Sequence, residues 1–289
     1  MTKNCLPNGA SASGRAAKIF LAGVLLCASV ATAQTNAPPI REPEQAAPVP
    51  KTERAAPLSS SALDEVKKLK DADNLTQARA TGLEALKTAT GDDKKALEDL
   101  LGEMAAPLVF SKRPMPEKID CTVTNGDSLA LLAKRFGTTV DTIRKGNKIT
   151  GQIIRLGTRL RILNGKFSIL VSKSQNTLTL SLNGQFFKRY RVGTGQYSTT
   201  PVGAFKITGK VAQPTWYRPD GKSIPYGDKE NLLGTHWMSI DVPGFGIHGT
   251  WEPDSIGKQS SQGCVRLLNS DIEELFTLVP EGTSVTIQD

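Results

Sequence analysis

Histidine is nearly absent: the 289 residues hold two, His236 and His248. Two imidazoles, with no H-E-x-x-H or comparable spacing, form no ligand set for a metallo-peptidase, and neither a metal nor another cofactor is expected. No Ser-x-x-Lys starts at Ser61, where Asp64 stands in the lysine's place, and there is no KTG box, which argues against serine/lysine acyl transfer. No stretch beyond the N-terminus is long and apolar enough for a transmembrane helix. Hydrophobic residues make up 38%, a little low for a chain that is globular throughout, so part of the length is expected to be linker or tail.

The formal charge of +8 is unevenly spread. Residues 118–165 carry nine basic and three acidic groups, whereas residues 166–289 carry 12 and 11. A basic patch attracts nucleic acid, anionic membrane or an acidic polymer. The N-terminus argues against nucleic acid. Lys3, Arg15 and Lys18 precede an apolar run of twelve residues, Ile19 to Val30, and then Ala31-Thr32-Ala33. That is the pattern of a secretory signal cleaved before Gln34, with an uncleaved anchor as the alternative. Leu26, ahead of Cys27, is poorly suited to a lipoprotein signal. An exported protein of the periplasm or cell envelope is expected.

Export would remove Cys5 and Cys27 with residues 1–33, leaving Cys121 and Cys264. A disulfide is the ordinary reading of two exported cysteines. Here the two fall in separate expected modules, which favours two free thiols.

Residues 34–60, rich in Pro and Ala, read as an extended linker. Residues 61–106 show apolar residues at helical spacing and predict two or three amphipathic helices, with Ser61 and Asp92 as N-caps, ended by Pro107, Pro114 and Pro116. A small helical spacer fits this segment better than a single tetratricopeptide-like unit.

Residues 119–164 read as strand, helix, helix, strand: Cys121–Thr124, a helix after Asn125-Gly126-Asp127-Ser128, a second from Val140 to Lys148, and a closing strand at Leu160–Leu163. The run TVTNGDSLALLAKRFGTTVDTIRKGNKI…IIRLGTRLRIL, with its GDSL turn, RFGTT link and Asn147, resembles the LysM domain. The resemblance implies a βααβ fold that binds N-acetylglucosamine-containing glycan of peptidoglycan or chitin.

Residues 166–289 alternate short strands with turn signals, among them the hairpin dipeptide Asn183-Gly184, and carry one short helix from Asp271 to Leu278. A mainly β domain, sandwich or barrel with a short helix, is expected. The chain as a whole is therefore read as multidomain α+β.

The chemistry concentrates in Ile247-His248-Gly249-Thr250 and Ser261-Gln262-Gly263-Cys264-Val265-Arg266. A thiol and an imidazole brought together form a nucleophile and its base. His248 is the base within reach, with an ordinary pKa near working pH. Gly263 lets backbone approach a substrate, and the N–H groups of Gln262, Gly263 and Cys264 are placed to bind an oxyanion. Arg266 could grip a carboxylate or structure the loop. Tyr226, Trp216 and Trp251 either line a groove or pack in core and rim.

TPVGAF at 200–205, YGDKENLLG at 226–234, GIHGT at 246–250 and SQGCVRL at 261–267 resemble, in order, the YkuD-type L,D-transpeptidase catalytic domain. The resemblance implies that Cys264 attacks a stem-peptide carbonyl, releases D-alanine and passes the acyl group to a diamino-acid amine, cross-linking the wall. It implies that Gly249 O fixes the His248 tautomer, and it places Ser261 and Arg266 in the substrate-binding motif. Water, a free D-amino acid or a wall-anchored protein are alternative acceptors. Gln262 departs from the family's usual His or Arg. Two rivals remain: an L,D-carboxypeptidase or peptidase hydrolysing the same bond, and a non-catalytic wall-binding protein.

Overall fold

A computed structural model describes residues 58–289, Pro219 excepted, with side chains from Ser61 onward. The expected signal and linker lie outside these residues. Among the described residues no helix is long and apolar enough to cross a membrane.

Three helices come first: α1 (Leu58–Asp71), α2 (Leu75–Leu86) and α3 (Gly91–Val109). The expected caps are corrected. Ser61 lies inside α1, and Asp92 lies in the first turn of α3, whose N-cap is Thr90. The expected stop at Pro107 is corrected too, since α3 runs through it to Val109. Val66, Ala78, Leu97, Leu101, Met104 and Leu108 are buried among these helices and against the sheet of the last domain.

Next comes a βααβ unit: β1 (Lys118–Thr122), α4 (Leu129–Phe136), α5 (Val140–Asn147) and β2 (Arg159–Leu163), with β1 and β2 antiparallel. Local chemistry explains both helix starts. Ser128 Oγ accepts from Leu131 N, and Thr139 Oγ1 accepts from Thr142 N. Gly137 ends α4 in the left-handed region at φ 64°. Asn147 ties α5 to β2, giving Nδ2–H to the carbonyls of Ile143 and Arg161 and accepting from Arg161 N at 2.8 Å. Cys121, Leu132, Phe136, Ile143 and Ile162 form this unit's own core.

Among its described residues the last domain contains twelve strands. They are β3 (Phe167–Ser172), β4 (Thr177–Leu182), β5 (Gln185–Arg191), β6 (Thr194–Gly195), β7 (Gly203–Ala212), β8 (Trp216–Tyr217), β9 (Ser223–Ile224), β10 (His236–Ile240), β11 (Gly246–His248), β12 (Gln259–Ser261), β13 (Val265–Arg266) and β14 (Ser284–Gln288). Eight form one curled mixed sheet in the order β13-β11-β10-β7-β14-β3-β4-β5, and β6–β12 and β8–β9 form small ribbons. The one α-helix among this domain's described residues, α6 (Asn269–Leu278), buries Ile272, Leu275 and Leu278 against the sheet's core. Asn183 (φ 52°) and Gly184 (φ 77°) make the β4–β5 turn, both in the left-handed region that a type I′ hairpin requires.

The described residues belong to one compact unit. Strand β5 is an outer strand of the sheet, and α3 packs on it: Arg189 pairs with Glu98, and Arg189 Nη2 with Asp99 at 3.2 Å. One apolar cluster runs from Val66 and Leu108 to Leu180, Phe187 and Ile287. The helices are thus continuous with the sheet's core, where the sequence predicted a spacer. The βααβ unit docks on the end of α6, where Thr139 and Thr142 hydroxyls donate to Thr277 O and Lys145 Nζ lies 3.1 Å from Thr277 Oγ1. Cys264 is a free thiol. Cys121 is disulfide-bonded, so the expectation of two free thiols is corrected at Cys121.

Candidate active site

Strand register brings His248 and Cys264 together. The short strands β11 and β13 run parallel, with Ile247 opposite Val265 and His248 opposite Arg266. Side chains alternate along a strand. Ile247 and Val265 face the core, and His248, Arg266 and Cys264 share the other face. Cys264 stands one alternation before Arg266, diagonal to the imidazole.

His248 is 3% exposed, and its Nδ1 lies 2.6 Å from Gly249 O. A carbonyl only accepts, so Nδ1 carries the proton and Nε2 keeps the lone pair. On β10, Trp237 is the antiparallel partner of His248, and its indole stacks on the imidazole at 5.6 Å and 24°. Trp237 Nε1–H donates to Ser239 Oγ at 2.8 Å, which holds the ring in place. Burial pushes the His248 pKa down to about 4, helped by the Arg266 charge and opposed by the Gly249 hydrogen bond. The ordinary value expected from sequence is corrected: in this apolar slot the charged imidazolium loses its water.

Cys264 is partly exposed, and Sγ lies 3.6 Å from Gly244 O. Burial raises its pKa, while a backbone hydrogen bond from Gly246 and the Arg266 charge pull it back. At neutral pH the pair rests as thiol and neutral imidazole.

The loop before Cys264 is held from within. Ser261 is 2% exposed, its hydroxyl donating to Cys264 O at 2.7 Å and accepting from Gly263 N at 3.1 Å. Ser261 thus ties the loop together from within, and the Gly263 N–H is engaged by its hydroxyl. Gly263 has φ 130°, and a Cβ there would lie 2.6 Å from the Phe245 ring. Its Cα would lie 2.8 Å from a Cβ on Gly195, so the two backbones meet where no side chain fits. Gln262 is exposed.

Arg266 is 9% exposed, its Nη1 is 3.2 Å from Glu252 Oε2, and its Nε is buried with no acceptor. Tyr226 and Trp251 are both partly exposed and pair at 6.3 Å. Trp216 lies on β8 under the Arg218 guanidinium, 5.6 Å away. His236, at the start of β10, contacts Phe276 at 4.5 Å and belongs to the α6 packing.

Sequence reasoning missed Trp237, Gly244, Phe245 and Glu252. No local motif marks them, because register and loop folding bring them to the site. A recess of about 590 Å³, lined by Gly137, Lys166, Phe167, Asn183, Pro280 and Thr283 among others, shares no residue with the Cys264 site. Among the described residues no group of three or more His, Cys, Asp or Glu is placed to hold a metal ion.

A family model described as the L,D-transpeptidase catalytic domain matches residues 166–287, and a LysM domain model matches residues 121–163. The YkuD protein of Bacillus subtilis (strain 168) is 39% identical over 122 residues, which are 42% of this chain and 65% of its own length. The YqjB protein of the same organism is 38% identical over 133 residues, 44% of this chain and 74% of its own. The YkuD protein of Bacillus licheniformis is 34% identical over 173 residues, 57% of this chain and 96% of its own. The names of all three class them with the L,D-transpeptidases.

Proposed function

This chain belongs to the L,D-transpeptidase family, and from that premise we propose that it is an exported, cysteine-dependent peptidoglycan L,D-transpeptidase of the cell envelope. The observation that carries the reading is the pairing of β11 with β13, which sets a free thiol diagonal to an imidazole whose Nδ1–H is committed to Gly249 O.

The chemistry follows from the protonation states. His248 Nε2 takes the proton of Cys264 as Sγ attacks the carbonyl between the third stem residue and the terminal D-alanine. The N–H groups of Gln262 and Cys264 receive the oxyanion. Collapse breaks the C–N bond, His248 returns the proton to the departing amine, and a thioester remains. The side-chain amine of a second stem then attacks, its proton passes to His248, and the thiol is restored as the new amide forms. Tyr226 and Trp251 form one wall of the groove. The LysM domain binds N-acetylglucosamine-containing glycan and raises the local concentration of stem peptides.

Hydrolysis of the same bond shares the first half of this sequence. Incubation with tetrapeptide muropeptides, followed by mass analysis, separates the two. Cross-linked dimers and released D-alanine are expected, and tripeptide alone in the presence of acceptor would overturn transfer in favour of the carboxypeptidase. Unchanged products from Cys264→Ala would leave only a wall-binding role. Carbapenem-type β-lactams are expected to add to Cys264 as one intact-mass adduct that is absent from Cys264→Ala.

A further inference from the structure

Arg266 is the one site residue whose polar surroundings are incomplete. Its guanidinium is buried, yet Nε meets no acceptor, and Nη1 is met only by Glu252, whose side chain is 59% exposed. A buried cation with an empty donor is costly unless an acceptor arrives. The one acid present reaches it from the exposed stretch between β11 and β12 and can swing away into water.

The position of this charge is informative. Arg266 stands two residues after Cys264, about 7 Å along an extended strand and on the same face. In a donor whose penultimate carbonyl is attacked at Sγ, the terminal carboxylate lies one residue further on, about 3.5 Å away. A guanidinium two positions from the nucleophile spans the remaining gap. Glu252 Oε2 then stands where an oxygen of that carboxylate would bind.

We propose that Glu252 is a specificity-determining residue: its carboxylate occupies Arg266 in the free enzyme and must be displaced by the terminal carboxylate of the donor, so that it tempers the preference for donors ending in a free acid that Arg266 supplies. This rests on the acyl-transfer reading above. The displaced Glu252 offsets part of the affinity that Arg266 supplies, and donors without the carboxylate cannot displace it.

The test uses the full chain with two donors, a stem tetrapeptide ending in a free carboxylate and the same peptide ending in a carboxamide. Acyl-enzyme formation is followed by intact mass, and kcat/KM is taken for each donor. The wild type is expected to prefer the acid. Glu252→Gln is expected to widen the acid-to-amide ratio about two- to fivefold, the range for an exposed ion pair, chiefly through KM. Arg266→Lys is expected to shrink the ratio towards one. A thermal melt accompanies each variant, and the Glu252 result stands even if Arg266→Lys fails to fold. An equal ratio in wild type and Glu252→Gln, or a wild-type preference for the amide, would overturn the inference while leaving acyl transfer intact. Absence of acylation by either donor would overturn both.

Discussion

His248 Nδ1 lies 2.6 Å from the carbonyl oxygen of Gly249, the next residue in the chain. That contact fixes the tautomer and directs the lone pair of Nε2 away from the backbone. Replacement by Gln, which is neutral at every pH, removes the base. His248→Gln is expected to slow acylation of Cys264 by stem peptide about 10²- to 10⁴-fold, measured by single-turnover mass analysis.

The thiol should be protonated at rest, because burial raises the Cys264 pKa above its ordinary value of 9.0. The rate of alkylation by iodoacetamide should therefore keep rising from about pH 7 to beyond about pH 9. A plateau on the acid side of about pH 7, the mark of a standing thiolate–imidazolium pair, is the contrary result.

Acid stability should carry the signature of His248. Its pKa falls from 6.5 to about 4 on folding, so the unfolded chain takes up the proton first as pH drops. The contribution to stability is complete above pH 6.5 and is lost as pH falls towards about 4, by an amount on the order of 3 kcal/mol. Urea midpoints of wild type and His248→Gln, compared at about pH 7.5 and about pH 4.5, should show a shallower acid loss in the variant.

Gly263 lies at φ 130°, and its missing Cβ would meet Phe245 at 2.6 Å. Gly263→Ala should cost about 1–3 kcal/mol and displace the nucleophile. A lowered melting temperature together with lost acylation is expected. Adding Phe245→Ala should relieve the contact but not the backbone strain, so recovery should be partial.

Leu108 on α3 is fully buried in the apolar cluster that also holds Phe187 and Ile287. Leu108→Ala should destabilise the protein by about 2–5 kcal/mol. All three tryptophans lie in the catalytic domain, at 216, 237 and 251. A lowered melting temperature read by tryptophan fluorescence would show that helices and sheet unfold together. An unchanged tryptophan transition would show that the helices are a separable spacer.

Much of this protein is legible locally. The Asn183-Gly184 turn, the Ser128 and Thr139 helix starts and the Gly137 stop depend on neighbours within a few residues, and each chemistry can be read from residue type. The helical caps at Ser61 and Asp92 misled because Ser61 lies inside α1 and Thr90 caps α3, while Pro107 is tolerated inside α3.

Other features depend on distance in the chain. A hydrophobic helix face has no address until its partner is known, so residues 61–106 read as a spacer although they complete the sheet's core. The ordinary imidazole pKa was the natural expectation for His248 until Trp237 and the core removed its water.

The sequence by itself determined the chemical inventory: one thiol and one imidazole in short motifs, the glycines between them, and the order of domains. Those are matters of residue type and near spacing. Tertiary structure alone decided that β11 and β13 pair in parallel, that His248 is buried and neutral, that Ser261 staples the loop, and that Glu252 reaches Arg266. Each of these depends on desolvation or strand register, and both arise only when residues distant in the chain are packed together.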